Sequence, residues 1–179
     1  MDSDKDIKIA GDKPSLEMKR RRAGDTPPGC SPEQAAAAVE LGRRVAARFV
    51  EDARETGSGD DENGNYEMIL QRRLLLSFTA TVGFELCCNN DQLDGIAQKS
   101  FLDTLRKTDD ELYRSSSDTG AFSFYYLAFR RGGDIDRRMG QTFAMLCSHD
   151  GDPIFQELGE AVYCWFLSEI RKYARELGI

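Results

Sequence analysis

The sequence predicts an all-α fold, a single-domain bundle or array of about six to seven helices around one central apolar helix. Three observations carry this. Apolar residues recur at three- and four-residue steps over most of residues 31–179. Cap and stop residues (Ser31-Pro32, Asn89-Asn90, Gly132-Gly133-Asp134, Asp152-Pro153) punctuate those stretches. The stretches are joined by short polar connections.

Residues 1–30 read as a disordered tail, rich in Asp, Lys, Gly and Pro with almost no periodic apolar positions. Their only basic run, Lys19-Arg20-Arg21-Arg22, reads as a solvated arm; a nuclear-import or nucleic-acid tail is the sharper alternative. Residues 31–179 read as the helical domain. Ser31 is placed to cap the first helix, Pro32 to occupy its first turn and Gln34 to complete a capping box. Ala35, Ala38, Val39, Gly42, Val45, Ala46, Phe49, Val50 and Ala53 then form one stripe, small enough to admit a second helix closely, and Gly57 stops it. The following GSGDDENGN, 57–65, is an acidic loop. An EF-hand with Gly64 at its sixth position would put Gly59 and Leu70 at the first and twelfth, where ligands are needed, so calcium is not indicated.

Residues 66–89 are ambiguous. From Leu76 to Leu86 apolar residues alternate with Ser77, Thr79, Thr81, Gly83 and Glu85, the pattern of a strand. Yet Glu67 to Leu76 is a run of helix formers with no turn signal after it, and Leu70, Leu74, Phe78, Val82 and Leu86 step by four. A long buried helix is the expected outcome. The alternative is an α+β fold with strands near 76–86 and 121–129. Asn90 or Asp91 caps the next helix, faced by Leu93, Ile96, Ala97, Phe101 and Leu105, and a short piece follows with Leu112 and Tyr113 inward. Phe122, Tyr125, Tyr126 and Phe129 mark an aromatic face stopped by Gly132-Gly133. Asp134 caps a helix with Ile135, Met139, Thr142, Phe143 and Leu146 inward, which Gly151 is expected to end. Asp152-Pro153 starts the last helix, with Phe155, Leu158, Ala161, Val162, Trp165, Phe166, Ile170, Tyr173 and Leu177 inward.

Composition narrows function more than motifs do. The chain has 179 residues and a formal net charge of -7. Residues 1–30 hold seven Lys+Arg and six Asp+Glu. Subtracting these from the totals of 24 and 31 leaves 17 basic and 25 acidic residues in 31–179. An acidic folded part repels phosphate backbones, so nucleic acid is an unlikely partner class. No apolar run reaches the length of a membrane helix, the first residues lack a secretory apolar region, and five cysteines make an odd set. Together these point to a cytoplasmic protein with reduced thiols.

No phosphate loop, dinucleotide fingerprint or nucleophile elbow occurs. His149, the single histidine, follows Cys147 by two residues; a nucleophile–base pair is conceivable there, against the ordinary reading of a helix-end histidine beside a buried thiol. Glu157 with Glu160 and Glu51 with Glu55 have helical spacing for shared metal binding, but such pairs are usual surface dressing. No catalytic residue, metal site or cofactor is assigned. The candidate ligand-binding residues are Arg130, Arg131, Arg137 and Arg138, gathered by RRGGDIDRR around a helix end and a helix start, with Tyr125 and Tyr126 as stacking surfaces. Salt bridges to nearby acids are the plainer reading of those arginines. The function expected is a non-catalytic helical module for protein–protein interaction or oligomerisation. The alternatives are a sensor of an anionic or aromatic small molecule, in a pocket lined by Phe122, Tyr125, Tyr126 and Trp165, and a cysteine- or carboxylate-dependent enzyme.

Overall fold

The computed structural model describes residues 29–57, 66–116 and 119–179. The expected tail at 1–28 and most of the acidic loop lie outside them. The described residues form seven α-helices and no strand: α1 Pro32–Gly57, α2 Tyr66–Cys87, α3 Asp91–Thr108, α4 Asp110–Ser115, α5 Thr119–Arg130, α6 Ile135–Leu146 and α7 Pro153–Leu177.

The helix starts follow their cap residues. Ser31 and Gln34 close the capping box reciprocally: the Gln34 amide donates to Ser31 Oγ at 3.2 Å, and the Ser31 amide donates to Gln34 Oε1 at 2.9 Å. Asn90, Asp109, Asp134 and Asp152 accept from the first-turn amides of α3, α4, α6 and α7 in the same way.

The alternating segment is helical. Seven consecutive residues of α2, Leu74 to Ala80, are buried, as are Val82 to Phe84, so the helix is enclosed on most sides and touches each of the other six. Its hydroxyls do not need a sheet's solvent face. Thr79 Oγ1 donates to the Leu75 carbonyl at 2.7 Å and Thr81 Oγ1 to that of Ser77 at 3.3 Å, which satisfies each polar side chain within its own helix.

Three glycines set how closely the helices cross. A Cβ on Gly42 would overlap the Ala97 carbonyl oxygen and come within 2.8 Å of the Phe101 amide nitrogen. The small-residue stripe of α1 therefore seats α3, and Ser100 Oγ donates across this crossing to the Val39 carbonyl at 2.7 Å. On Gly140 a Cβ would overlap the Gln156 carbonyl oxygen, which locks α6 on α7, and on Gly83 it would meet Ile170 Cδ1 of α7 at 2.7 Å. One hydrophobic core runs through all seven helices, with Phe49, Phe84, Phe101, Phe143, Phe166 and Tyr163 almost wholly buried in it.

Four residues expected to face inward face out: Val39, Leu86, Tyr126 and Ala161. The end of α6 also differs. Gly151 does not stop it. Ser148 takes the left-handed conformation at φ 61°, the Ser148 amide donates to the Met145 carbonyl, and the His149 amide donates to that of Ala144. This is a Schellman closure with serine where glycine is usual.

Candidate functional site

α5 packs on α2 and α6 at the edge of the bundle. Its twelve residues include apolar side chains on every side, more than two neighbours can bury. Ala121, Tyr125 and Ala128 point inward, while Phe122 and Phe129 are half-buried beside them. Phe78 of α2 receives the ring of Tyr125 at a centroid distance of 5.5 Å and those of Phe122 and Phe129 edge-on. The opposite arc exposes Phe124, Tyr126 and Leu127, each about half accessible at 50, 51 and 55%. At 100° per residue, Phe124, Leu127 and Arg131 share the flank next to α6; Tyr126 and Arg130 share the other, with the Arg130 guanidinium 5.7 Å from the Tyr126 ring centre.

A glycine turn brings α6 back alongside α5. Gly132 and Gly133 sit at φ 66° and 76°, a region open to glycine at little cost. Arg131, just past the end of α5, and Arg138 of α6 then converge on one cleft of about 280 Å³, lined also by Ala128, Gln141, Thr142, Met145, Asp150 and Gln156. Met145 is 39% exposed and carries the apolar surface of α5 onto α6. Exposed apolar side chains at Phe124, Leu127 and Met145 thus accompany basic groups toward the glycine turn.

Asp150 shares the cleft with Arg131 and Arg138, and the other acids near these arginines are engaged elsewhere. Asp134 and Asp152 cap their helices. Asp136 hydrogen-bonds the Cys164 thiol on α7. Among the described residues no ion pair involves Arg130, Arg131, Arg137 or Arg138. Several arginines of α1 and α2, though not Arg54 or Arg73, do make ion pairs among the described residues: Arg43 and Arg44 pair with Glu40, Arg44 also with Glu176, and Arg48 with Glu51. Arg72 forks onto buried Asp52 at 3.0 and 2.7 Å. The plain salt-bridge reading describes that group and not the RRGGDIDRR group. Arg137 and Arg138 also sit in the first turns of α6, where the helix dipole disfavours positive charge.

The two candidate tyrosines are separated. Tyr126 belongs to the exposed face. Tyr125 is fully buried on Phe78, and its hydroxyl has no hydrogen-bond partner among the described residues. Trp165 packs on Phe166, and the Arg48 and Arg72 guanidiniums lie 4.7 and 5.9 Å from its ring centre. The structure does not bring Trp165 together with Phe122, Tyr125 and Tyr126 to line either cleft described here. A larger cleft of about 650 Å³ lies along α1, α3 and the end of α7, but Arg44 and Arg48 on its wall are already paired with glutamates.

The groups considered for catalysis are poorly disposed. Cys147 is buried, and burial followed by the Glu67 carboxylate pushes its thiol up to about 12, so it stays protonated at neutral pH. His149 stacks on Phe155 with ring centres 3.7 Å apart. Glu51 is held by Arg48. Among the described residues no three His, Cys, Asp or Glu side chains gather as a metal set, and no helix is long and apolar enough to cross a membrane.

Sequence reasoning singled out the arginines but not exposed Phe124 and Leu127. Phe124, Tyr125, Tyr126 and Leu127 are consecutive, and four successive helical positions span about 300°, so they cannot all face one core. Comparison with family models, with curated proteins and with solved structures found no match for this chain.

Proposed function

We propose that this protein is a helical docking module that binds another protein through the outer face of α5 and the adjoining edge of α6. One observation carries the reading: exposed Phe124, Leu127 and Met145 accompany arginines that make no ion pair among the described residues. The apolar surface costs free energy when left to water, and both features are put to use when covered. Aromatic, methionine and arginine side chains are also those enriched in interface cores. The cleft itself, at about 280 Å³, is at the small end for enclosing a metabolite. The stripe of α1, a sequence-level argument for association, supports nothing here, because α3 covers it.

The test compares the wild-type chain with Phe124→Ser/Leu127→Ser as immobilised baits in extract of the source cells, then rebuilds any complex from purified components. A protein retained by the wild type, lost by the double variant and bound saturably when purified is the expected result. A double variant that retains the same proteins with unchanged affinity would refute the assignment of this face.

A further inference from the structure

The charge on this face points to what covers it. Resting on the docking reading, we infer that the occupant is an acidic, amphipathic helical segment of another protein, with apolar side chains on Phe124, Leu127 and Met145 and a carboxylate between Arg131 and Arg138.

The order of groups sets the pattern. Arg131, the residue after α5, is seven positions beyond Phe124, about 10 Å along the axis or two helical turns. A third helix laid in the groove between α5 and α6 would therefore present apolar residues at i, i+3 or i+4, and an acid about two turns further on. The arginines select the sign. A carboxylate reaching both guanidiniums gains charge-assisted hydrogen bonds that no acid among the described residues supplies as an ion pair. Gln141 and Thr142 on the same wall offer further polar partners.

Other occupants fit less well. In a two-fold dimer built on this face each copy offers the other the same patch. The four arginines would then meet arginines or the apolar end, and neither neutralises them. An anionic lipid surface would take the same apolar-plus-basic face, but Arg131 and Arg138 line a cleft, which a carboxylate side chain on a docked helix reaches more directly than a flat layer of headgroups.

Two synthetic helical peptides of about 18 residues test this. They share one leucine pattern, with the remaining positions glutamate-rich in one and lysine-rich in the other, and binding to the full chain is read by fluorescence anisotropy. The glutamate peptide is expected to bind saturably and at least about tenfold tighter than the lysine peptide, losing affinity several-fold from low to high salt. Arg131→Glu/Arg138→Glu, both surface changes, should reverse the preference with the circular dichroism spectrum unchanged. Equal, salt-insensitive binding of both peptides, abolished by Phe124→Ser/Leu127→Ser, would overturn the acidic partner and leave the docking face standing. Binding unaffected by the Phe124 and Leu127 changes would overturn both. Sedimentation with vesicles of phosphatidylserine, lost in the same double variant, would overturn the protein partner in favour of a membrane.

Discussion

Replacing Gly140 by alanine puts a methyl group where the Gln156 carbonyl oxygen already stands. The added Cβ would fall roughly 1 Å inside ordinary contact with that oxygen and 3.1 Å from the Glu160 amide nitrogen. These are backbone atoms of α7 and cannot rotate aside, so the crossing must open. Phe143 packs at the same crossing, its Cβ 2.5 Å from where a side chain on Gly159 would begin. A gap of 0.5–1 Å forfeits about a quarter to a half of each contact's dispersion energy. Against this, alanine in a helix interior gains about 1 kcal/mol over glycine. Overpacking costs of about 1–3 kcal/mol are typical where side chains can adjust, and a backbone obstacle belongs at or above the top of that range. The expected net destabilisation is about 2 kcal/mol, or about 4–8 °C in melting temperature for a chain of this size. Gly95, exposed in the middle of α3, has nothing within 4 Å of its added Cβ. There the same substitution should stabilise by about 0.5–1 kcal/mol. Urea unfolding followed by circular dichroism, with unchanged slope, reads both. If Gly140→Ala and Gly95→Ala shift stability in the same direction, the account of glycine-set helix crossings is wrong.

Three further outcomes follow from local features. Asp52→Ala strands the Arg72 guanidinium, whose side chain is 20% exposed, without its buried carboxylate; a loss of about 3 kcal/mol is expected by denaturation, with a smaller loss when Arg72→Leu is added. Ser148→Gly relieves a left-handed serine and should raise stability by about 0.5–1 kcal/mol by thermal melting. Burial holds the thiols of Cys147, Cys88 and Cys164 at about 12, 11 and 11, and the Tyr163 hydroxyl at about 12. Each raised value means the folded chain keeps protons that the unfolded chain releases, so stability is full below about pH 9 and falls as pH rises toward 12. Alkaline unfolding in that window, with Cys147 resistant to alkylation at pH 8 in the native state, is the expected result; rapid native-state alkylation of Cys147 would contradict it.

What the sequence made legible was mainly local. A capping box needs only Ser31 and Gln34 three residues apart, and it forms with both hydrogen bonds. The Asp caps of α6 and α7 are of the same kind. The alternation at 76–86 misleads because a threonine in a buried helix can return its hydroxyl to the carbonyl four residues back, as Thr79 does, and so behave as an apolar residue. Gly151 carries a positive φ as a turn glycine should, but the helix had already closed at Ser148. Whether an arginine is paired is a tertiary fact. Arg43-Arg44 and Arg130-Arg131 look alike in the sequence, and only the fold puts Glu176 beside the first pair, while the second makes no ion pair among the described residues.

The packing also separates what holds the chain together from what it shows to others. The close crossings at Gly42, Gly83 and Gly140 all lie between helices of the same chain, which leaves the α5–α6 face with exposed apolar side chains and arginines that make no ion pair among the described residues. Tyr125 and Leu127 are two residues apart on one helix, yet one is wholly buried and the other more than half exposed. Truncating Tyr125 removes a core ring and should cost about 3 kcal/mol or more. Truncating Leu127 removes exposed surface and should change stability by less than about 0.5 kcal/mol. If Leu127→Ser also removes binding of a partner, recognition has been lost without loss of the fold, and that dissociation is what a docking face on an already complete core requires.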